Sequence, residues 1–223
     1  MTSPLRDVTV YVATKNAGKL RELQQILAAY GVTALAYAGY ADVAEGEASY
    51  AENAALKARA LRAALDAAGI AAPALGDDSG LEVAALGGRP GVLSARYGGD
   101  AATWAERRAL LLAETAAAVS AGNDGGAART ARFVCALHWA EAGGDETAVL
   151  AELRGELALE ERGDGGFSYD AIFESEEGRT FAELSEEEKN AVSHRALAVK
   201  ALVEALPGRI PPPSPGTIRA TGM

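Results

Sequence analysis

Cysteine is almost absent from this sequence: Cys135 is the only one in 223 residues. A single thiol closes no internal disulfide, so the fold has to rest on its apolar core, and a lone thiol suits a reducing compartment. A catalytic thiol would need a basic partner, and none adjoins Cys135 in its apolar run. Histidine is nearly as scarce, with His138 and His194 alone. No pair of cysteines or histidines stands at zinc spacing and no Gly-x-Ser-x-Gly elbow occurs, which excludes a structural zinc site and the common serine-hydrolase arrangement. No apolar run approaches membrane-spanning length, and no charged-then-apolar leader opens the chain, so no membrane and a cytoplasmic location are expected. Positive charge is short as well: 21 Lys and Arg stand against 31 Asp and Glu, a net charge of -10. Such a surface repels polyanions, so no nucleic-acid partner is expected, whereas a small nucleotide is allowed where a few lysines and a metal gather.

What is present describes an ordinary globular protein, 49% apolar and 23% charged. A chain of this length buries about 70% of the surface exposed by its unfolded form and needs no staple. Val8–Ala13 is β-branched and uncharged and reads as a buried strand. A short polar loop follows, then helical spacing from Lys19 to about Tyr30. Ala34–Tyr37 reads as a short strand, and Tyr50–Ala68 as a long alanine-rich helix stopped by Gly69. Ala74–Asp77 reads as a strand ending at acidic residues, and Thr103–Ala121 as another helix before a glycine-rich loop to Ala128. Thr130–Ala140 and Thr147–Leu157 flank a turn and read as a hairpin. Ser185 with Glu188 forms a capping box, and Ser193 caps a last helix reaching about Leu206. Alternating helices and strands predict an α/β fold, a mixed β-sheet flanked by helices, in one domain over residues 1–207 with a disordered Pro- and Gly-rich tail over 208–223.

Four clusters carry chemistry. Thr14-Lys15-Asn16-Ala17-Gly18-Lys19 joins a strand to a helix, where backbone N–H groups attract anions and Thr14, Asn16 and Lys19 add a hydroxyl, an amide and a charge. It is not a Walker A loop, which needs glycine at Ala13 and Ser or Thr at Leu20. Asp77-Asp78-Ser79-Gly80 is the second. Neighbouring strand residues face opposite ways, so both aspartates enter one site only if the strand has ended; otherwise one serves a metal or water while the other braces the loop. The same four residues also suit a plain turn. Upstream, Glu45, Glu47 and Glu52 add carboxylates, and magnesium needs only one or two of these beside phosphate oxygens and water. The third cluster, Gly165-Gly166-Phe167-Ser168-Tyr169-Asp170, offers aromatic rings that suit stacking on a base, although by residue type alone Phe167 and Tyr169 read first as core residues after a turn. The fourth is Lys189 with Ser193-His194-Arg195, where basic residues occupy a first helical turn that the helix dipole disfavours for them.

Taken together and in order, Ala13–Leu23, Tyr50–Ala58, Asp77–Val83, Leu86–Tyr97, Phe167–Phe173 and Ala182 through Arg195 resemble the inosine triphosphate pyrophosphatase family, also called XTP/dITP diphosphatases. The resemblance implies an elongated two-lobed α/β fold with a central cleft, a homodimer, and hydrolysis of ITP, dITP or XTP to the monophosphate and pyrophosphate with Mg2+. It further implies that Thr14 to Lys19 and Lys57 hold the triphosphate with Ser79 nearby, and that Glu45 and Asp78 bind the metal while Asp78 activates water. Phe167, Ser168, Tyr169, Asp170, Lys189, His194 and Arg195 would form the base pocket. Ser168 stands where that family usually has glycine and Ala171 where it usually has proline, and Glu47 competes with Glu45 as metal ligand.

Overall fold

The computed structural model describes residues 8–122, 128–175 and 177–210. Most of the loop expected before Ala128, and the tail from residue 211, lie outside the described residues. Six strands, β1 (Val8–Ala13), β2 (Val32–Ala36), β3 (Ala74–Val83), β4 (Thr130–Ala140), β5 (Glu146–Leu157) and β6 (Phe173–Glu174), form one mixed sheet in the order β2-β1-β3-β4-β5-β6. β1 runs parallel to β2 and β3, whereas β3 to β6 pair antiparallel. The helices are α1 (Ala17–Ala28), α2 (Tyr50–Ala67), α3 (Trp104–Ser120), α4 (Glu186–Val192) and α5 (His194–Ala205).

Local chemistry places their ends. Asn16, Ser49, Thr103, Ser185 and Ser193 each cap a helix with a side-chain oxygen, and Thr103/Glu106 and Ser185/Glu188 complete capping boxes. Gly69 ends the α2 region with φ 70°, a conformation that glycine adopts without a Cβ clash. Two large cores lie on the sheet, and smaller clusters pack α2 against it. One gathers β1, β2, α1 and α5 around Val10, Leu23, Leu75, Leu137 and Leu202. The other gathers the far halves of β3 and β4, with α3, around Leu81, Leu111, Phe133, Tyr169 and Phe181. The packed chain continues past α5, because Ile210 is buried in the first core and Arg209 pairs with Glu141 and Asp145.

One expectation is overturned. β3 does not end at Asp77 but continues to Val83, because β4 pairs with it along its whole length. β1, by contrast, pairs with β3 only as far as Ala13↔Gly76. From Asp77 onward, β3 therefore has no strand on its β1 side among the described residues. With α1 and α2 on opposite faces of the sheet, this is the crevice at the carboxyl ends of parallel strands where α/β folds bind ligands.

Candidate active site

Because β3 continues, Asp77 and Asp78 point to opposite faces of the sheet, and each is held by a different set of charges. On the α2 face, Lys57 Nζ lies 2.8 Å from Asp78 Oδ1 and 2.5 Å from Glu45 Oε1. Asn53, also on α2, donates to Asp78 Oδ2 at 3.2 Å and makes two hydrogen bonds to the Gly46 backbone, so it fixes the Glu45 loop against the strand. Burial raises the Asp78 carboxyl above the usual carboxylate range, with Lys57 and Lys19 offsetting part of the effect. Burial would lower Lys57, but Asp78 and Glu45 outweigh it and hold the ammonium above its ordinary value.

On the other face a second network runs through buried side chains. Lys19 Nζ sits 2.5 Å from Asp77 Oδ1, and Arg195 Nε donates to Asp77 Oδ2 at 2.9 Å. Arg195 also pairs with Glu22 and donates to Ser79 Oγ at 3.0 Å. Glu22 pairs in turn with Lys189, whose Nζ lies 2.5 Å from Asp170 Oδ2. Burial would raise Asp77, but Arg195 and Lys19 outweigh it and keep this carboxyl well below the ordinary range. Asp77 is thus the brace and Asp78 the residue facing the cleft. The basic first turn of α5, disfavoured by the helix dipole, is explained for Arg195 by its buried partners Asp77 and Glu22. His194 is buried and its ring stacks on Phe133 with centroids 4.4 Å apart; burial, together with Arg195 and Lys189, keeps the imidazole neutral. Its Nδ1 has no hydrogen-bond partner among the described residues.

The loop at Thr14–Lys19 differs from an open anion cradle. Thr14 Oγ1 accepts from Asn16 N at 3.1 Å, and Asn16 Oδ1 accepts from Gly18 N and Lys19 N at 2.9 and 3.2 Å. The chain's own side chains therefore occupy these amides. Asn16 and Lys19 line the cleft, whereas Thr14, Lys15, Ala17 and Gly18 do not, and Lys15 is exposed. Gly18 has a packing role: a Cβ there would stand 2.8 Å from the Phe167 ring. Lys57 lies behind Asp78 rather than on the cleft wall, and Glu47 is exposed and away from the wall that Glu45 joins.

The third cluster is a tied loop. Phe167 faces the cleft with Lys189 Nζ 4.6 Å from its ring centre. Phe167 N donates to Asp170 Oδ2 at 2.6 Å, and Ser168 takes a left-handed backbone with φ 62°. Tyr169 is buried, donates its hydroxyl to Ser94 O at 2.9 Å and meets Trp104 edge-on, so the core reading holds for this ring although its edge still borders the cleft. Glu22, Asn53, Ser94, Trp104 and Phe133 belong to the site or its supports and were not legible as such. Asn53, a poor helix former inside an alanine-rich helix, was the one local signal. Cys135 is buried with its thiol raised by burial and by Asp77, which leaves it inert.

The model of the Ham1 family matches residues 10–205. The chain is 45% identical over 199 residues to a dITP/XTP pyrophosphatase of Geobacillus kaustophilus, covering 87% of this chain and 92% of that protein. It is 45% identical over 211 residues to a dITP/XTP pyrophosphatase of Thermus thermophilus, covering 93% and 96%. Among solved structures, a HAM1 protein from Coxiella burnetii superposes with a TM-score of 0.74 at 36% identity, over 89% of this chain and 98% of that one. A match over nearly the whole chain, in sequence and in fold, makes the chain a member of the Ham1 family.

Proposed function

We propose that this protein hydrolyses the deaminated purine nucleoside triphosphates ITP, dITP and XTP to the monophosphate and pyrophosphate, with magnesium, and so cleanses the nucleotide pool. The relatives' names support the reaction, and one observation carries it to this chain: the Asp78 carboxylate is held by Lys57 and Asn53 at the free edge of β3, across from Lys19. Release of pyrophosphate requires a water oxygen to attack the α-phosphorus while the pyrophosphate departs. Asp78 is the group that orients or deprotonates that water, and Lys19 sets positive charge beside the phosphates while Lys57 holds Asp78 from behind.

The charge arrangement favours a metal. Lys19, Asp77, Arg195, Glu22, Lys189 and Asp170 alternate in sign and balance, whereas Lys57 faces both Glu45 and Asp78. The site is thus short of positive charge for a triphosphate. Glu45 and Asp78 supply two hard carboxylates converging on one ammonium, a donor set that fits magnesium completed by phosphate oxygens and water. These two residues would hold the ion, which when bound would neutralise phosphate charge and polarise the phosphoryl oxygens.

For the base, the neutral His194 offers Nδ1–H to a 6-oxo group, with the half-buried Phe167 ring on the cleft wall and Lys189, Arg195 and Asp170 fixing both. Against the 6-amino group of ATP that donor stays unpaired, at a cost of about 1–3 kcal/mol. A pyrophosphate-release assay over ITP, dITP, XTP, ATP, GTP and pyrimidine triphosphates, with and without magnesium, tests the reading. ITP and XTP are expected to turn over about 10²-fold faster than ATP, and only with the metal. Equal rates for ATP and ITP would sink the specificity. Asp78→Asn is expected to lower kcat by about 10³-fold or more while the thermal midpoint holds; near-normal turnover would remove Asp78 from the mechanism. The resemblance also supports a homodimer acting in the cytoplasm. Sedimentation velocity should give twice the chain mass, and a monomer at micromolar concentration would contradict it.

A further inference from the structure

The loop that presents Phe167 contains a conformation its sequence does not favour. Ser168 carries φ 62°, a left-handed backbone that a residue with a Cβ adopts only when its surroundings hold it there. The Lys189–Asp170 pair and the Tyr169 hydroxyl hold the far side of this turn. At Ser168 itself the hold comes from α3. Arg108 Nη1 donates to Ser168 O at 2.8 Å, while Arg108 Nη2 pairs with Glu161 at 2.9 Å. Trp104 stands four residues earlier on the same face of α3 and meets Tyr169 edge-on, with ring centres 5.4 Å apart. One planar guanidinium therefore ties two acceptors, one before and one inside the loop, at a fixed separation that a lysine ammonium cannot reproduce.

We propose that Arg108 is a positioning residue for nucleotide recognition: by gripping the Ser168 carbonyl it keeps the left-handed turn that aims Phe167 into the cleft. Arg108 does not line the cleft, so it acts through the loop and not on the substrate. The inference rests on the purine triphosphate reading for its kinetic consequence, but the grip itself can be tested without any nucleotide.

The experiment uses the full chain and three variants: Arg108→Ala, Ser168→Gly and the double variant. Hydrogen–deuterium exchange without ligand is read on peptides covering residues 163–172. Arg108→Ala should speed exchange there, and glycine at 168, which takes positive φ without a Cβ penalty, should slow it again in the double variant. Unchanged exchange in Arg108→Ala overturns the grip. Steady-state pyrophosphate release from ITP is then read on the same proteins. Loss of a charge-assisted hydrogen bond should raise KM by about 10-fold with kcat within about 2-fold, and the double variant should recover to within about 3-fold of the parent KM. A merely structural role would instead lower the thermal midpoint and kcat together, with no rescue by glycine, and that result overturns the proposal. Faster exchange with an unchanged KM overturns it too. A parent protein that releases pyrophosphate from none of the purine triphosphates would defeat the functional reading and with it the kinetic role, whatever the exchange data say of the grip.

Discussion

Asp77 and Asp78 are neighbours in sequence and strangers in space. Alternation along β3 sends Asp78 to Lys57 and Asn53, and Asp77 to Lys19 and Arg195. Their chemistry diverges accordingly, one carboxyl raised by burial and the other held low by two cations. Asp77→Asn leaves the buried Arg195 with Glu22, which Lys189 shares, as its remaining carboxylate, and Lys19 without its partner. We predict a loss of about 3–5 kcal/mol in unfolding free energy, read from urea denaturation. A loss below about 1 kcal/mol would mean that Glu22 alone balances Arg195. Residue types alone give one working aspartate and one brace, and the family resemblance names Asp78 as the working one; what they do not give is the reason, which is that β3 continues and sends the two side chains to opposite faces. The loop at Thr14–Lys19 teaches the same lesson. Its residue types suit an anion, yet Asn16 spends its side chain on capping α1.

At the scale of elements, the site depends on how closely α2 lies on β3. A Cβ at Gly76 would stand 2.0 Å from the Ala54 carbonyl oxygen and 2.9 Å from Ala58 N, so the helix backbone runs directly over the strand there. That approach brings Asn53 and Lys57 within reach of Asp78. Gly76→Ala should therefore cost about 3 kcal/mol or more, because backbone rather than a flexible side chain must move. Pyrophosphate release should fall with it. A variant as stable as the parent in urea would refute the close packing. The elements themselves were largely legible: strands from β-branched runs, and the last two helix starts from Ser185 and Ser193, whereas the caps at Asn16, Ser49 and Thr103 emerge only in the structure. Missed were the short β6 and the docking of α3 on the loop at Phe167, neither of which has a local signature.

At the scale of the whole molecule, acidity shapes both binding and stability. With a net charge of -10, the protein can hold a triphosphate only where cations gather, and the buried networks bring Lys19 and Lys57 to the site but balance them with carboxylates. Distant elements are also clasped by carboxylates, as where Glu146 on β5 meets Arg59 on α2 and His138 on β4. Hydrogen bonds from Arg59, with His138 Nε2 nearby at 3.1 Å, hold the Glu146 carboxyl down at about 2. A carboxylate lowered by folding from an unfolded value of about 4.3 stabilises the protein above that value, and the contribution is lost as pH falls through the folded value. Glu146→Gln should therefore cost up to about 1 kcal/mol near neutrality, since the pair is partly exposed. The gap to the parent should narrow as pH drops from about 6 towards about 3. A gap that stays constant in urea titrations across that range would show that Glu146 is not the group responsible.

The sequence by itself determined the α/β alternation, the caps at Ser185 and Ser193, the absence of any internal disulfide and the ordered set of six motifs that identifies the family. Each of these is written within a few residues: a cap needs its own hydroxyl and the amides two or three positions on, and a motif needs only its spacing. The tertiary structure alone decided that β1 stops while β3 runs on, and that Asp78 faces the cleft while Asp77 braces two helices. It alone showed that Arg108 reaches Ser168. Those facts rest on contacts such as Arg195 to Asp77, 118 residues apart, and Arg195 to Glu22, 173 apart. Partners that distant are chosen by how the sheet closes and which faces the helices cover, and a buried charge is affordable only after that closure has supplied its opposite.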